Sequence, residues 1–463
     1  MASPRTTDFS SGSIIRHLIS FSVPMLLGNL FQALYNTVDS FWVGRFLGKE
    51  ALAAVSVGFP VIFLLVAFVT GLTMAATTLV AQYAGARQGE MVRRTVANTM
   101  GLLVLAGIVL SVLGVVFHRS LLRLIQTPPS IMPLASAYLS IYLVGLVFTF
   151  IYNASASILR GLGDSRSPTL FLVYATIANI ILDPLFIFGP GPFPRLGVTG
   201  AAWATVIAQA LAAVLAIRHL YTVNRLLPLS LPAYRPRADL TLRTVSIGLP
   251  AGIQQTIVSL GALVLNALVN SFGPTVTAAF GAAGRLDQFS FLPTMSLSLA
   301  TSALVGQNLG AGMEERAHET LRWSAILASS ITGGVMILLL LFPRPLLAIF
   351  TKDAEVLAEG TRYLRTVSLG YVPFSVMFSI NGLLRGAGDT FPTMVTSLIS
   401  LWLVRLPLAT WFARGMGLGS RGIWIGMAIS PLAGLAMSYL YYRSGRWRRK
   451  VVVKKERPVL APE

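Results

Sequence analysis

The sequence predicts an all-α integral membrane protein, with twelve transmembrane helices arranged as two pseudo-symmetric six-helix bundles. Three observations carry that expectation. The first is composition: of 463 residues, 54% are hydrophobic and only 11% charged, with a mean hydropathy of +0.72. A soluble surface needs nearer a quarter of its residues charged, so a water-soluble enzyme of this size is excluded. The second is a series of apolar runs, each at or above the roughly 20 residues a helix needs to cross a hydrocarbon core about 30 Å thick. The third is an internal duplication.

Charges and Gly/Pro punctuation place the runs, numbered here span 1 to span 12, at about 14–41, 51–83, 95–117, 132–158, 168–189, 198–220, 243–271, 276–306, 319–342, 357–383, 392–413 and 422–442. The uncharged stretch from Thr244 to Gly284 is too long for one crossing, and Ser271-Phe272-Gly273-Pro274 supplies its turn. The polar start from Met1 to Ser13, followed by a full span without a small-residue cleavage site, predicts no cleaved signal peptide. Zero cysteines exclude disulfides, thiolate metal sites and thiol nucleophiles.

The 36 Lys and Arg outnumber 17 Asp and Glu, giving a net charge of +19. These cations lie between spans and in the C-terminal tail, the pattern of a cationic membrane rim, so no nucleic-acid partner is expected. With the N-terminus inside, the inner segments carry about twice as many Lys and Arg as the outer ones, which favours cytoplasmic termini.

Duplication appears as ordered matches at a nearly constant offset. Leu159-Arg160-Gly161-Leu162-Gly163-Asp164 recurs as Leu384-Arg385-Gly386-Ala387-Gly388-Asp389. Leu79 to Ala86 matches Leu304 to Ala311, Pro24 matches Pro250, and Gly197 and Gly200 match Gly419 and Gly422. The expected organisation is an N-terminal lobe over 1–222, a cytoplasmic linker over 223–242, a C-terminal lobe over 243–445 and a basic tail over 446–463. Parallel repeats of this kind build transporters with a central cavity that opens alternately to each side. A channel is disfavoured because no span carries a ring of charge or a carbonyl-rich filter sequence. The Arg-Gly-x-Gly-Asp pieces lack the Lys-Ser/Thr ending of a nucleotide loop and read as tight inner turns, with Arg160 and Arg385 anchoring helix ends.

Charges inside spans are the functional candidates, because an ionisable group at bilayer depth is costly unless paired or hydrated. Among the acids these are Asp39, Asp183 and Asp287; the cations are Arg285 and Arg405. Asn179 lies four residues before Asp183, on the same helical face. At 1.5 Å per residue, Asp183 sits about 10 Å from Pro190 and Thr205 of span 6 about 12 Å from Gly197, at matching depth on neighbouring antiparallel helices. Asp39 ends span 1, with Tyr35 and Asn36 expected on its face. At the repeat offset, Asp183 corresponds to Arg405 and Asp39 to Leu265, so a coupling cation is expected in the N-terminal half. Arg285 and Asp287, two residues apart, are expected to form a secondary charged pair or a helix-packing contact.

These residues resemble the multidrug and toxic compound extrusion (MATE) transporters over about residues 14–445. The resemblance rests on the twelve-span duplication, Pro24…Asp39, the repeated Leu-Arg-Gly-x-Gly-Asp, and Ile181-Leu182-Asp183-Pro184 followed by Gly197-Val198-Thr199-Gly200-Ala201-Ala202. It implies cation-coupled antiport, exporting amphipathic and often cationic organic compounds across a prokaryotic inner membrane. In the branch coupled through the N-terminal lobe, the resemblance assigns Asp39, Asn179, Asp183 and a span 6 threonine, Thr205 or else Thr199. Another branch uses acids on spans 7 and 10. Here span 7 has Gln254 and Gln255, and span 10 is read as lacking an acid.

The mechanism this implies is a rocker switch in which H⁺ or Na⁺ at Asp39 and Asp183 alters span 1 packing and releases substrate outward. Carboxylate, amide and hydroxyl oxygens suit either ion, so Asp39, Asn179, Asp183 and Thr205 form a possible Na⁺ set. Aromatic and Met side chains of spans 2, 7 and 8 are expected around the cavity. No cofactor is expected beyond the coupling ion. The expected partners are small organic substrates and membrane lipid, and a monomer suffices. Two rivals stand beside this reading: a lipid-linked oligosaccharide flippase, which calls for a more cationic cavity, and an intramembrane enzyme, for which no catalytic constellation is present.

Overall fold

The computed structural model describes residues 7–190, 195–222, 226–227 and 231–453. Parts of the expected linker and tail, at 223–225, 228–230 and 454–463, lie outside the described residues.

Among the described residues, 12 helices are long and apolar enough to cross a membrane. In order they are Ile14–Leu47, Lys49–Gly85, Gly89–Leu124, Met132–Gly161, Arg166–Phe188, Val198–Thr222, Ala238–Asn270, Pro274–Gly310, Glu314–Leu341, Ala354–Gly386, Phe391–Gly415 and Ser420–Arg443. Each corresponds to one sequence-expected span, and the chain is a multi-pass membrane protein. Most helices overrun the expected limits by several residues, because a helix keeps its hydrogen bonds beyond the apolar layer. Span 3, for example, continues to Leu124. Two spans carry π-helical turns, Val43–Leu47 at the end of span 1 and Ile399–Arg405 and Trp411–Gly415 in span 11. Such turns widen a helix locally and are frequent at functional sites.

The chain forms two compact units. The first comprises Val23–Val80 and Gln88–Leu249; the second comprises Asp8–Ser22, Ala81–Arg87 and the chain from Pro250 onward. Thus Asp8–Ser22 and Ala81–Arg87 group with the second unit, and the start of span 7 up to Leu249 groups with the first. In span 1 the change falls one residue before Pro24, and in span 7 it falls at its repeat mate Pro250, both prolines inside helices. A helix-interior proline lacks an amide donor and weakens the ladder at that point.

Within the first unit, span 4 packs on spans 3 and 6, and span 5 on span 6. Leu122, Leu139, Leu143, Ile187 and Ala201 of these spans share one core with Ala51 and Val55 of span 2. Within the second, span 10 packs on spans 8, 9 and 12, around Leu286, Tyr363, Tyr371 and Trp424.

The repeated Arg-Gly-x-Gly-Asp pieces form the same turn in both units. Gly163 and Gly388 take left-handed φ values of 86° and 87°, and the Asp164 and Asp389 amides each donate to the carbonyl five residues back at 2.8 Å. A side chain is strained at such φ, which fixes glycine there. Asp164 then accepts the Ser167 amide and starts span 5. Arg385 donates to Gln254, which also binds the Thr393 carbonyl and Ser397, so the predicted anchoring role has named partners.

In the second unit the end of span 2 crosses the end of span 8 through two glycines. A Cβ at Gly85 would lie 1.9 Å from the Gln307 carbonyl oxygen, and one at Gly310 would lie 1.9 Å from that of Gln82. Small residues allow helix backbones this approach. The same corner holds Asp8–Ser22: the Phe9 amide donates to Gln307, and Arg316 donates to the carbonyls of Phe9, Ser11 and Gly12.

Candidate functional site

The first unit gathers five of the sequence-singled residues. Span 1 contributes Tyr35 and Asp39, one turn apart on a common face. Span 5 contributes Asn179 and Asp183, and span 6 contributes Thr205. All five are buried; Asp39 is 5% exposed and Asp183 fully covered. The Asn179 amide donates to Asp183 Oδ1 at 3.1 Å, as the four-residue spacing anticipates. Tyr35 lies beside Thr205 and within electrostatic reach of both carboxylates, and Asp183 is within reach of Asp39.

What distinguishes this cluster is its unused acceptors. Asp39 Oδ1, Asp183 Oδ2 and Asn179 Oδ1 are buried without a protein donor among the described residues. Buried polar atoms ordinarily find partners. Buried acceptor oxygens without donors, two of the three belonging to carboxylates, have the chemistry that a proton or a small hard cation takes.

Two span 4 tyrosines that sequence reasoning missed belong to the same surroundings. Tyr138 and Tyr142, stacked at 6.4 Å, are each within electrostatic reach of Asp39. Their i, i+4 spacing was the available signal, but nothing in the sequence tied span 4 to the acids. Thr176, one turn before Asn179, adds a buried hydroxyl without a partner among the described residues.

Other expectations need correction. Asn36 is exposed and stands outside the buried cluster. Three residues before Asp39, it lies about 60° around the helix from it, whereas Tyr35 lies about 40° away on the other side. Thr199 donates to the Leu196 carbonyl at its own helix start, whereas Thr205 lies beside Tyr35. Arg285 and Asp287 do not pair. Arg285 is exposed over the Phe350 ring at 5.5 Å, whereas Asp287 is buried and accepts from the Tyr363 and Tyr371 hydroxyls. Two residues on a helix are about 200° apart, so their side chains diverge. Arg405 donates to Ser430 at 2.7 Å.

Span 10 does contain a buried acid, contrary to the expectation. Glu359 accepts the Trp424 indole N–H at 2.9 Å and pairs with Arg362 at 3.3 Å. Both Asp287 and Glu359 are thus held by donors. Asp287→Ala is expected to strand two buried tyrosine hydroxyls at roughly 1–3 kcal/mol each. Thermal unfolding of the purified protein should show that loss, with a smaller one for Asp287→Asn, which keeps an acceptor.

Comparison with known proteins agrees with this architecture. The MatE family model matches residues 24–185 and 250–411, once in each half. The probable multidrug resistance protein YpnP of Bacillus subtilis (strain 168) is 33% identical over 95% of this chain and 97% of its own. YoeA, a second probable multidrug resistance protein of that organism, is 32% identical over 97% of each chain. Among solved structures, a crystal structure of MATE in the bent conformation superimposes with a TM-score of 0.88 at 25% identity, covering 97% of this chain and 100% of that one. A family model matched in both halves, with relatives alike along nearly their whole length, leads to one conclusion: the chain belongs to the MatE family and is a multidrug efflux transporter, not an enzyme.

Proposed function

We propose that this transporter is a cation-coupled antiporter that exports amphipathic organic compounds, often cationic, by rocker-switch alternating access across a prokaryotic inner membrane, with both termini cytoplasmic. The single observation that carries the reading is the buried acid pair, Asp39 and Asp183, with acceptor oxygens that no protein donor fills among the described residues.

The chemistry follows from those atoms. Two carboxylates within electrostatic reach of one another repel when both are ionised, and burial deprives them of the water that would screen the repulsion. A proton on one, or Na⁺ shared with Asn179 and Thr205, relieves it and lets spans 1, 5 and 6 pack tightly. Departure of the cation loosens span 1 again. Substrate and cation thereby favour opposite arrangements, which is the requirement for exchange. A charge crossing 100 mV supplies roughly 2.3 kcal/mol, enough to bias such an equilibrium.

The test is export of a fluorescent cationic dye by the reconstituted protein under an imposed H⁺ or Na⁺ gradient. One of the two gradients is expected to drive accumulation against the dye gradient. Dye movement that only equilibrates, whichever gradient is imposed, would contradict coupled antiport.

A further inference from the structure

Within the first unit, a basic cavity and an apolar groove meet where span 3 begins and the inter-repeat segment docks. The cavity, of about 590 Å³, is lined by Arg93, Arg94, Arg235 and Arg237, with Glu90 the acid among its lining residues. Glu90 is already taken by Arg94 at 2.8 Å, and Arg237 lies 3.5 Å from Asp239. Arg93 and Arg235 are exposed, and no ion pair engages either among the described residues.

The walls are built rather than incidental. Asn98, 1% exposed, lines the cavity and accepts from the Arg237 amide at 2.7 Å and the Thr241 hydroxyl at 3.1 Å through Oδ1. Those two donors identify Oδ1 as the oxygen and leave Nδ2 as a buried donor without a partner among the described residues. Just beyond, the Tyr234 carbonyl presses on Gly101, where a Cβ would lie 1.8 Å from it. Glycine here lets the segment lie flat on span 3.

The groove continues from this cavity and shares Leu227, Arg235 and Pro236 with it. It has a volume of about 490 Å³ and is lined by Met100, Val104, Leu105, Ile108 and Ile217. Leu105 and Ile108 are 51% and 47% exposed on a membrane-crossing helix. Along that helix they stand about 18 and 22 Å from Arg93, the reach of an extended acyl chain.

A cationic pocket at the membrane surface that opens onto a lipid-facing apolar groove is complementary to one kind of molecule, an amphiphile with an anionic head. Basic pockets between membrane helices take phosphate headgroups for this reason. We propose that this site binds an anionic phospholipid, its phosphate on Arg93, Arg235 and Asn98 Nδ2, and one acyl chain along Val104, Leu105 and Ile108. The lipid would bridge span 3 and the segment that connects the two repeats. Free phosphate would satisfy the cavity but leave the groove unused, which is why the lipid is the occupant proposed.

Native mass spectrometry of the purified, detergent-solubilised full chain tests this. It is titrated with dioleoyl phosphatidylglycerol, dioleoyl phosphatidylcholine or inorganic phosphate. Phosphatidylglycerol should bind far more tightly than the zwitterionic lipid, and millimolar phosphate should not displace it. At about a fivefold loss per cation near an anionic headgroup, the double variant Arg93→Gln, Arg235→Gln should weaken phosphatidylglycerol binding by roughly 25-fold and leave phosphatidylcholine unchanged. Both arginines are exposed, so the variant should unfold at the native temperature. The double Lys variant should retain most of the affinity, and Val104→Trp, which fills the groove, should weaken binding with the arginines intact. The proposal is overturned if the Gln variant binds phosphatidylglycerol like the native chain, if Val104→Trp has no effect, or if phosphate displaces the lipid at equal concentration.

Discussion

Asp183→Asn is expected to abolish gradient-driven export, and Asp39→Asn to do the same, while both proteins insert in membranes and unfold near the native temperature. Asparagine keeps the shape and the Asn179 contact at position 183, but it neither takes up a proton nor contributes charge to a bound cation. Removing one partner of a coupled system forfeits the coupling free energy, typically 1–3 kcal/mol or roughly 5–150-fold. Coupled dye export in reconstituted vesicles is the readout, with each variant compared at equal incorporation. Asn179→Ala should be milder, because it removes a neutral donor and one acceptor but leaves both carboxylates. Tyr138→Phe and Tyr142→Phe, which keep the rings, should shift the pH or Na⁺ dependence without eliminating export. Full export by both Asp variants would reject the assignment of these two carboxylates.

The second large effect is expected where spans 2 and 8 cross. Gly85→Ala and Gly310→Ala each place a methyl group 1.9 Å from a backbone oxygen that cannot rotate away. Reaching an ordinary contact of about 3.5 Å requires the helices to part, at an overpacking cost of about 1–3 kcal/mol or more. A lower unfolding temperature in detergent is the expected result for both, and a greater loss for valine at either position. Gly89→Ala is the matched control: Gly89 begins span 3 and a Cβ there meets nothing within 4 Å. Equal behaviour of Gly85→Ala and Gly89→Ala would mean that the crossing is not this close.

Much of this molecule was legible because hydropathy and repetition are one-dimensional signals. Twelve apolar runs had to become helices, since the bilayer leaves the backbone no other partner. The recurrence of Leu-Arg-Gly-x-Gly-Asp foretold two equivalent turns, and Gly163 and Gly388 adopt nearly the same φ. Asp183 with Asn179 was legible for a related reason: an i, i+4 spacing on a helix fixes proximity without knowledge of the tertiary fold.

Features that depend on contacts between distant segments were less accessible. Tyr138 and Tyr142 are two of 13 tyrosines, and only the packed unit brings them to Asp39. Glu359 stands close to the start of span 10, where an acid is ordinarily interfacial; its burial comes from Trp424, 65 residues away. Arg285 and Asp287 misled in the opposite direction, because closeness in sequence is not closeness on a helix. The exchange of Asp8–Ser22 and Ala81–Arg87 into the second unit has no signature in composition at all. It follows from glycine contacts and from the carbonyls that Arg316 collects, neither of which periodicity records.

In the proposed mechanism, the carboxyl groups of the first unit are the place where the coupling cation and the substrate oppose one another. Its most direct test is equilibrium substrate affinity of the detergent-solubilised protein, measured across a series of H⁺ concentrations and, separately, of Na⁺ concentrations. The native chain should bind substrate more weakly as one of these cations rises, and the double variant Asp39→Asn, Asp183→Asn should bind with an affinity indifferent to both. A double variant that keeps the native cation dependence would place the opposition elsewhere in the molecule and rule out these two carboxylates as its seat.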